Sequence, residues 1–366
     1  TWLDRDSKKS EVVALKSLSL QPDKANHSLL GLNLVATARE LPIELRGTMG
    51  GVDTLLAGKP WPVNIEATVK GIRLKVEGQV ADMKAMQGID LRLSAQGGEL
   101  AEVLRLAGVQ AAQLPPLLGP FTVGGKLHQE GTKFALSAVD VQLGMPELAT
   151  LRASGEVKDL TGNLSPALQV QMECANPAAL AKLAAVDMPL KGPVSINGKI
   201  SGSKAQWAVA DLAAKAGSNE LKGGLQLALA ERLRLSGQLT SDRLDVTEFL
   251  PATGKDAPEA AKASPAAAAD KGRLFSAEPL PLAALRTVDV DFKAQVGKLL
   301  LPGRQLSDVN IALQLKNGQL HLAPLRFGLA GGVFDGGVQL DAAAKTPTLA
   351  VQFQGHHKAH RDALAA

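Results

Sequence analysis

Four times this chain runs an alternating apolar stretch into a short turn and then a stub of helical periodicity. The four are LRLSAQGGELAEVLRLAG from Leu91, LQVQMECANPAALAKLAAV from Leu168, LRLSGQLTSDRLDVTEFLPA from Leu233 and LAVQFQGHHKAHRDAL from Leu349. Two of them are followed by the same lead-in to the next stretch, GPFTVGGKL at Gly119 and GPVSINGKI at Gly192. A strand module repeated at an irregular period stacks into an extended sheet, because each copy buries its apolar side only against its neighbours. Such a surface points to a scaffold, a groove or a conduit before a catalytic pocket.

Period-2 alternation runs through most of the chain. Val63, Ile65, Ala67 and Val69 point one way, and Ile72, Leu74 and Val76 resume after Lys70-Gly71. Val309, Ile311, Leu313 and Leu315 alternate up to Asn317-Gly318, a favoured type I′ hairpin turn, and Leu320 and Leu322 return. Leu30 to Val35, Phe134 to Val141, Trp207 to Val209, Leu221 to Leu229 and Val338 to Leu340 read the same way. Strands at this spacing between Gly, Asn, Asp and Ser turns predict an antiparallel meander. The pairs Gly50-Gly51, Gly124-Gly125, Gly223-Gly224 and Gly331-Gly332 suit sharp turns, bulges or twists. Short helices are expected at Glu99 to Ala107, after Asn176 as N-cap with Pro177 in the first turn, and at Asp245 to Leu250. All three are too short to stand alone, so they lie on the sheet or plug its end. From Pro251 to Lys271, PATGKDAPEAAKASPAAAADK offers no strand former at usable spacing and reads as a flexible linker. The domain map is therefore an N-terminal β module over residues 1–90, repeated strand-turn-helix modules over 91–250, a linker over 251–272, and a C-terminal β region over 273–366.

Composition narrows the function. Apolar residues make up 45% of the 366-residue chain and charged ones 21%, enough to bury a sizeable core. Tyrosine is absent and aromatics total 3%, which argues against a ring-stacking platform for sugars, single-stranded nucleic acid or a flavin. The net charge of +4 is spread among interleaved acids, so no polyanion and no nucleic-acid partner is indicated. The single cysteine, Cys174, excludes an internal disulfide framework, and its neighbours offer no second ligand. No apolar run approaches the roughly 20 residues that a spanning helix needs. The opening TWLDRDSKKSE has neither an initiator Met nor a signal-peptide core, as expected of an internal piece of a longer protein.

A search for chemistry returns little. His356 and His360 have the i,i+4 spacing that can share a metal, but no carboxylate or thiol stands at fitting distance in sequence, so no metal site is expected. GLAGGVFDGG at Gly328 lacks the Lys-Ser/Thr of a phosphate loop and is followed by VQLD, another strand, so it reads as hairpin turns. No G-x-S-x-G elbow, H-E-x-x-H or paired C-x-x-C occurs. Asp140, Asp242, Asp308 and Asp335 are expected at strand ends and turns, solvated. The chain is read as a non-enzyme without a cofactor.

The last third carries a resemblance. PLPL at Pro279, LLLPGRQLSDV ending at Val309, NGQLHLAPL at Asn317 and LAGGVFDG at Leu329 occur in the order found in the C-terminal region of the AsmA family, which this stretch resembles. Upstream, KPWPVNIEATVKGIRLKVEGQVAD and RLDVTEFLP look like it too. The resemblance implies a periplasmic protein, tethered to the inner membrane by an N-terminal anchor that is not in this chain, and associated with outer-membrane assembly. It also implies a protein that would continue beyond residue 366. Relatives are similar to bridge-like lipid transfer proteins, whose long curved sheets carry a greasy groove. The expected fold is therefore mainly β: an elongated, curved antiparallel sheet of repeated strand modules forming an apolar groove, with a few short helices. About 20 strands at about 4.8 Å would reach on the order of 90 Å.

Two functions follow. In the first, the apolar face binds or conducts phospholipid between the inner and outer membranes, without catalysis. Its lining candidates are Val63, Ile65, Ile72, Leu74, Leu91, Leu93, Phe134, Leu136, Leu225, Leu227, Leu313 and Leu315, holding tails by non-directional burial. In the second, the face is packed core and the protein is a periplasmic scaffold whose edge or helices recruit envelope proteins for outer-membrane assembly. The residues by themselves favour a packed core, and the resemblance favours the groove.

Overall fold

The computed structural model describes residues 2–3, 10–11, 13–38, 41–101, 119–184, 192–249, 285–344 and 346–357. The expected linker over 251–272, most of the helix expected from Glu99, and His360 lie outside them. The protein is mainly β. The chain divides into two compact units, residues 1–186 with 196–204, and residues 187–195 with 205–366.

In the first unit, Trp2–Leu3 (β1) and Ser10–Glu11 (β2) form a two-residue ladder. Ten strands then follow: β3 (Val13–Pro22), β4 (Leu29–Ala38), β5 (Leu41–Gly50), β6 (Trp61–Val69), β7 (Ile72–Asp82), β8 (Gln87–Gly97), β9 (Phe121–Glu130), β10 (Lys133–Met145), β11 (Ala149–Lys158) and β12 (Ser165–Cys174). Each pairs antiparallel with the next, as the alternation and the short turns predict. Strand β13 (Val194–Gly202) follows. The second unit contains β14 (Gln206–Ala216), β15 (Asn219–Leu229), β16 (Leu233–Asp245), β17 (Val288–Leu301), β18 (Arg304–Lys316), β19 (Gln319–Leu329), β20 (Gly332–Asp341) and β21 (Thr348–His357). Its pairs are antiparallel except one: β16 and β17 run parallel, so the expectation of a wholly antiparallel sheet is corrected at that step. A parallel pair needs a long crossover, and the stretch between Asp245 and Val288 supplies the length.

The predicted turns form. Lys70 and Gly71 have φ of 49° and 81°, and Asn317 and Gly318 have φ of 54° and 79°, the left-handed pair that a type I′ hairpin requires. Among the helices, Pro177–Ala184 is capped as expected, Asn176 Oδ1 accepting from the Ala179 amide at 3.0 Å. The helix expected from Asp245 is a single 3-10 turn over Val246–Phe249, with Asp245 Oδ1 accepting from the Thr247 amide at 3.1 Å. One helix was not foreseen, α1 (Val52–Leu56), in the β5–β6 connection.

Several strands switch the parity of their apolar residues midway. In β10 the apolar set passes from Phe134 and Leu136 to Val139, Val141 and Leu143. In β14 it passes from Trp207 and Val209 to Leu212 and Ala214, and in β19 from Leu322 to Leu325. Left in plain register, each switch would turn half of the strand's apolar side chains to the wrong face. A β-bulge absorbs every one of them. The register shifts between Ser137 and Asp140, between Val209 and Leu212, and between Leu322 and Leu325. Ala138 and Asp211 take left-handed φ of 48° and 52° to insert the extra residue. Strand β18 does the same at Asp308, φ 50°. One face of each unit therefore stays apolar across all its strands.

Asp140, Asp242 and Asp335 lie inside strands β10, β16 and β20, and Asp308 in the β18 bulge, rather than at strand ends and turns. They still face solvent, because the alternation puts them on the polar side; Asp335 pairs with Arg326 at 3.7 Å.

Candidate binding face

Register fixes which side chains line up. In the second unit, Trp207, Leu227, Leu235, Val290, Leu315, Leu320, Leu340 and Leu349 follow one another across eight strands, each opposite the next. Two residues along, Val209, Leu225, Gly237, Phe292, Leu313, Leu322, Val338 and Val351 form a parallel row. At about 4.8 Å per strand each row follows the sheet for about 34 Å. In the first unit a row of ten runs Leu18, Leu34, Leu45, Ala67, Leu74, Ala95, Val123, Val141, Ala153 and Val170. No member of these rows is charged or polar.

One residue over, the opposite face is mostly polar, Val35 opposite Glu44 being an exception. Glu44, Thr68, Arg73, Gln96, Thr122, Gln142, Arg152 and Gln171 form the matching row. Ion pairs stud this face, Lys75 with Glu77 at 3.2 Å and Lys126 with Asp90 at 3.1 Å. Being exposed, they confer solubility more than stability.

All eight candidates of the first unit lie on its apolar face: Val63, Ile65, Ile72, Leu74, Leu91, Leu93, Phe134 and Leu136. Leu225, Leu227, Leu313 and Leu315 share the apolar face of the second. Their surroundings differ. Ile72 and Leu315 are each 4% exposed and serve as packing, whereas Leu74 is 37% exposed. The others are half-buried. Sequence reasoning passed over Trp207, Leu235, Val290, Leu320, Leu340 and Leu349, although the same alternation marks them. It also missed a small core at one end of the first unit, where Trp61, Val80 and Ile89 pack with Leu55 of α1 and with Met83.

Among the described residues the extensive backbone contacts run between strands adjacent in the sheet, and the helices add only local ones: the 3-10 turn against β17, Leu55 of α1 on the Trp61 core, and the buried Ala181 of the Pro177–Ala184 helix. Neither a second sheet nor a helical layer is stacked on the rows there. A fully buried Leu, Val or Phe side chain gains about 1.5–3 kcal/mol. A half-buried one keeps a large part of that unspent, and Leu349, Val351 and Phe353 of β21 are 63%, 53% and 48% exposed. The arrangement can take up long apolar chains lying across the strands, with no directional bond required.

The polar chemistry elsewhere is local. Burial pushes the Cys174 thiol up, keeping it protonated and inert at the end of β12. Among the described residues no group of three His, Cys, Asp or Glu side chains is placed to hold a metal ion. No helix there is long and apolar enough to cross a membrane.

The sequence model of the AsmA family matches residues 10–356. AsmA family protein YhjG of Escherichia coli (strain K12) is similar, 24% identical over 351 residues, which cover 92% of this chain and 40% of that protein. The chain thus spans less than half the length of this curated relative. No solved structure matches the chain.

Proposed function

The chain belongs to the AsmA family, and from that premise we propose that its apolar face carries phospholipid acyl chains between the two membranes of a bacterial envelope. Membership implies an envelope-related function; the periplasmic setting, the inner-membrane tether and the service to outer-membrane assembly are parts of the proposal. The observation that carries it is the pair of apolar rows in the second unit, eight side chains in one and seven with Gly237 in the other, half-buried for the most part. Acyl chains would lie on these rows, gaining about 0.8 kcal/mol for each methylene removed from water, while headgroups stay hydrated. The role requires no nucleophile, base or cofactor. Its partners are phospholipid, the membranes at either side, and whatever envelope proteins hold the assembly in place. The scaffold reading needs a covered face, and the exposure of Leu74, Leu349 and Val351 speaks against that.

The test is lipid extraction and native mass spectrometry of the purified chain. Phospholipid should co-purify and be displaced by added fatty acid. A folded chain that carries no lipid and takes up none from vesicles would refute the proposal.

A further inference from the structure

The ten strands β3 to β12 place alternate turns at opposite ends of the first unit. Pro22 pairs with Leu30, Met49 with Val63, Asp82 with Gln87, Glu130 with Lys133, and Lys158 with Ser165. The connections 23–28, 51–60, 83–86, 131–132 and 159–164 therefore share one end. Three of these five expose large apolar side chains that the fold does not use. Val52 and Leu56 of α1 are 57% and 68% exposed, Met86 53% and Leu164 41%. At the opposite end, the described turns Lys70-Gly71 and Pro146–Leu148 expose none, Leu148 being half-buried.

Two of the connections are built with an inward and an outward apolar group. Leu55 and Met83 turn in and pack on Trp61, Val80 and Ile89, which fastens the loops. Leu56 and Met86 turn out. Met86 is held there by a backbone in the left-handed region, φ 52°, where a long side chain is uncommon. Exposed lysines, Lys24, Lys59 and Lys84, stand among the apolar tips. Two of the neighbouring carboxylates turn back on their own turns: Asp23 Oδ1 accepts from the Ala25 and Asn26 amides, and Asp82 Oδ1 from the Lys84 and Ala85 amides, at 2.9–3.0 Å, while Asp53 stands exposed beside Val52. Apolar tips flanked by flexible ammonium groups match the boundary between acyl chains and phosphates, where the tips sink and the lysines reach the headgroups. The core of Trp61, Val80 and Ile89, on the apolar face, runs directly into these loops.

We propose that this end of the first unit docks on a phospholipid bilayer, with Val52, Leu56, Met86 and Leu164 as the inserting side chains. The purpose of such docking rests on the lipid-carrying reading of the apolar face; the surface itself stands on exposure and topology. Flotation of the full chain with vesicles of phosphatidylcholine and phosphatidylglycerol tests it. Because the four side chains are exposed, Val52→Ser, Leu56→Ser, Met86→Asn and Leu164→Ser together should leave the circular dichroism spectrum unchanged. Vesicle binding should fall about tenfold or more. The control is Thr122→Ser with Gln171→Ser, both exposed but on the polar face of the same unit, which should leave flotation intact. Co-purified phospholipid, measured on the same preparations, reads the apolar face separately. Its absence from the unmodified chain would remove the carrier reading and leave the docking result standing. Undiminished flotation of the fourfold variant, an equal loss in the polar-face control, or no flotation of the unmodified chain would each overturn the docking proposal.

Discussion

The two faces of one ladder, a single residue apart, differ in every property except backbone geometry. In the second unit, Trp207, Leu227, Leu235, Val290, Leu315, Leu320, Leu340 and Leu349 follow one another on one side; on the other are Ala208, Gln226, Ser236, Asp291, Gln314, His321, Gln339 and Ala350. The polar side is complete in water. Among the described residues no second layer lies on the apolar side, so most of its Leu and Val residues are shielded only in part, by their neighbours in the sheet. A chain selected only to fold would place a second layer on that side. The contrast is what the proposed lipid-carrying role builds on, and the parity of each strand is what keeps the face continuous.

Breaking that contrast at its most covered point should cost most. Leu315, 4% exposed, is where the apolar row is shielded, so Leu315→Asp should destabilise by about 3 kcal/mol or more, read as a lower urea midpoint. The parallel step from β16 to β17 comes next, because it must keep Leu235 opposite Val290 without a hairpin to set the register. Arg232 sets it instead: Nη1 donates to Asn317 Oδ1 at 2.9 Å, and Nη2 donates to the Arg286 carbonyl at 2.5 Å and lies 3.5 Å from Asp289. Arg232→Ala should lose about 1–3 kcal/mol, and hydrogen exchange should quicken first in β17. On the polar face, Gln314→Lys, opposite Asp291, should change stability by no more than about 0.5 kcal/mol. Smallest of all is a pH effect. The Asp341 carboxyl is held below its ordinary range, first by the Gln319 side-chain amide and then by the Ala344 and Ala343 amides. Its contribution is present above the unfolded carboxylate pKa and lost as pH falls through the lowered folded value. Below about pH 4 the unmodified chain should therefore lose a slight advantage over Asp341→Asn in acid titration followed by circular dichroism.

Much of this was legible in residue order. Alternation from Val63 to Val76 and from Val309 to Leu322 gave strands, turns and faces, because a period of two has one structural meaning once Lys70-Gly71 and Asn317-Gly318 close the hairpins. The family resemblance read from Pro279 onward agrees with the match over residues 10–356. The bulged residues were not foreseen, although two bulges lie opposite Gly124-Gly125 and Gly223-Gly224, pairs that suit turns, bulges or twists. The parity switch in β10 is visible in the sequence, yet nothing local tells whether a bulge or a turn absorbs it, since Ala138 is an ordinary residue in an unusual conformation. The parallel pairing of β16 with β17 is a long-range fact that no hairpin signal announces. The burial of Ile72 and Leu315 against the exposure of Leu74 depends on position along the strand, which alternation does not encode.

The central claim is that the apolar rows are an occupied surface and not a packed core, and Leu313 tests it most directly. It is half-buried, midway along the row of Val209, Leu225, Phe292 and Leu322, and its neighbour Gln314 points the other way. Phospholipid bound to the Leu313→Asp chain should be measured by native mass spectrometry beside Gln314→Lys. The account predicts a folded Leu313→Asp protein with strongly reduced lipid, because acyl chains offer the carboxylate no partner while the uncovered face lets it reach water. Undiminished lipid on a folded Leu313→Asp chain, or unfolding of that chain as of Leu315→Asp, would contradict it.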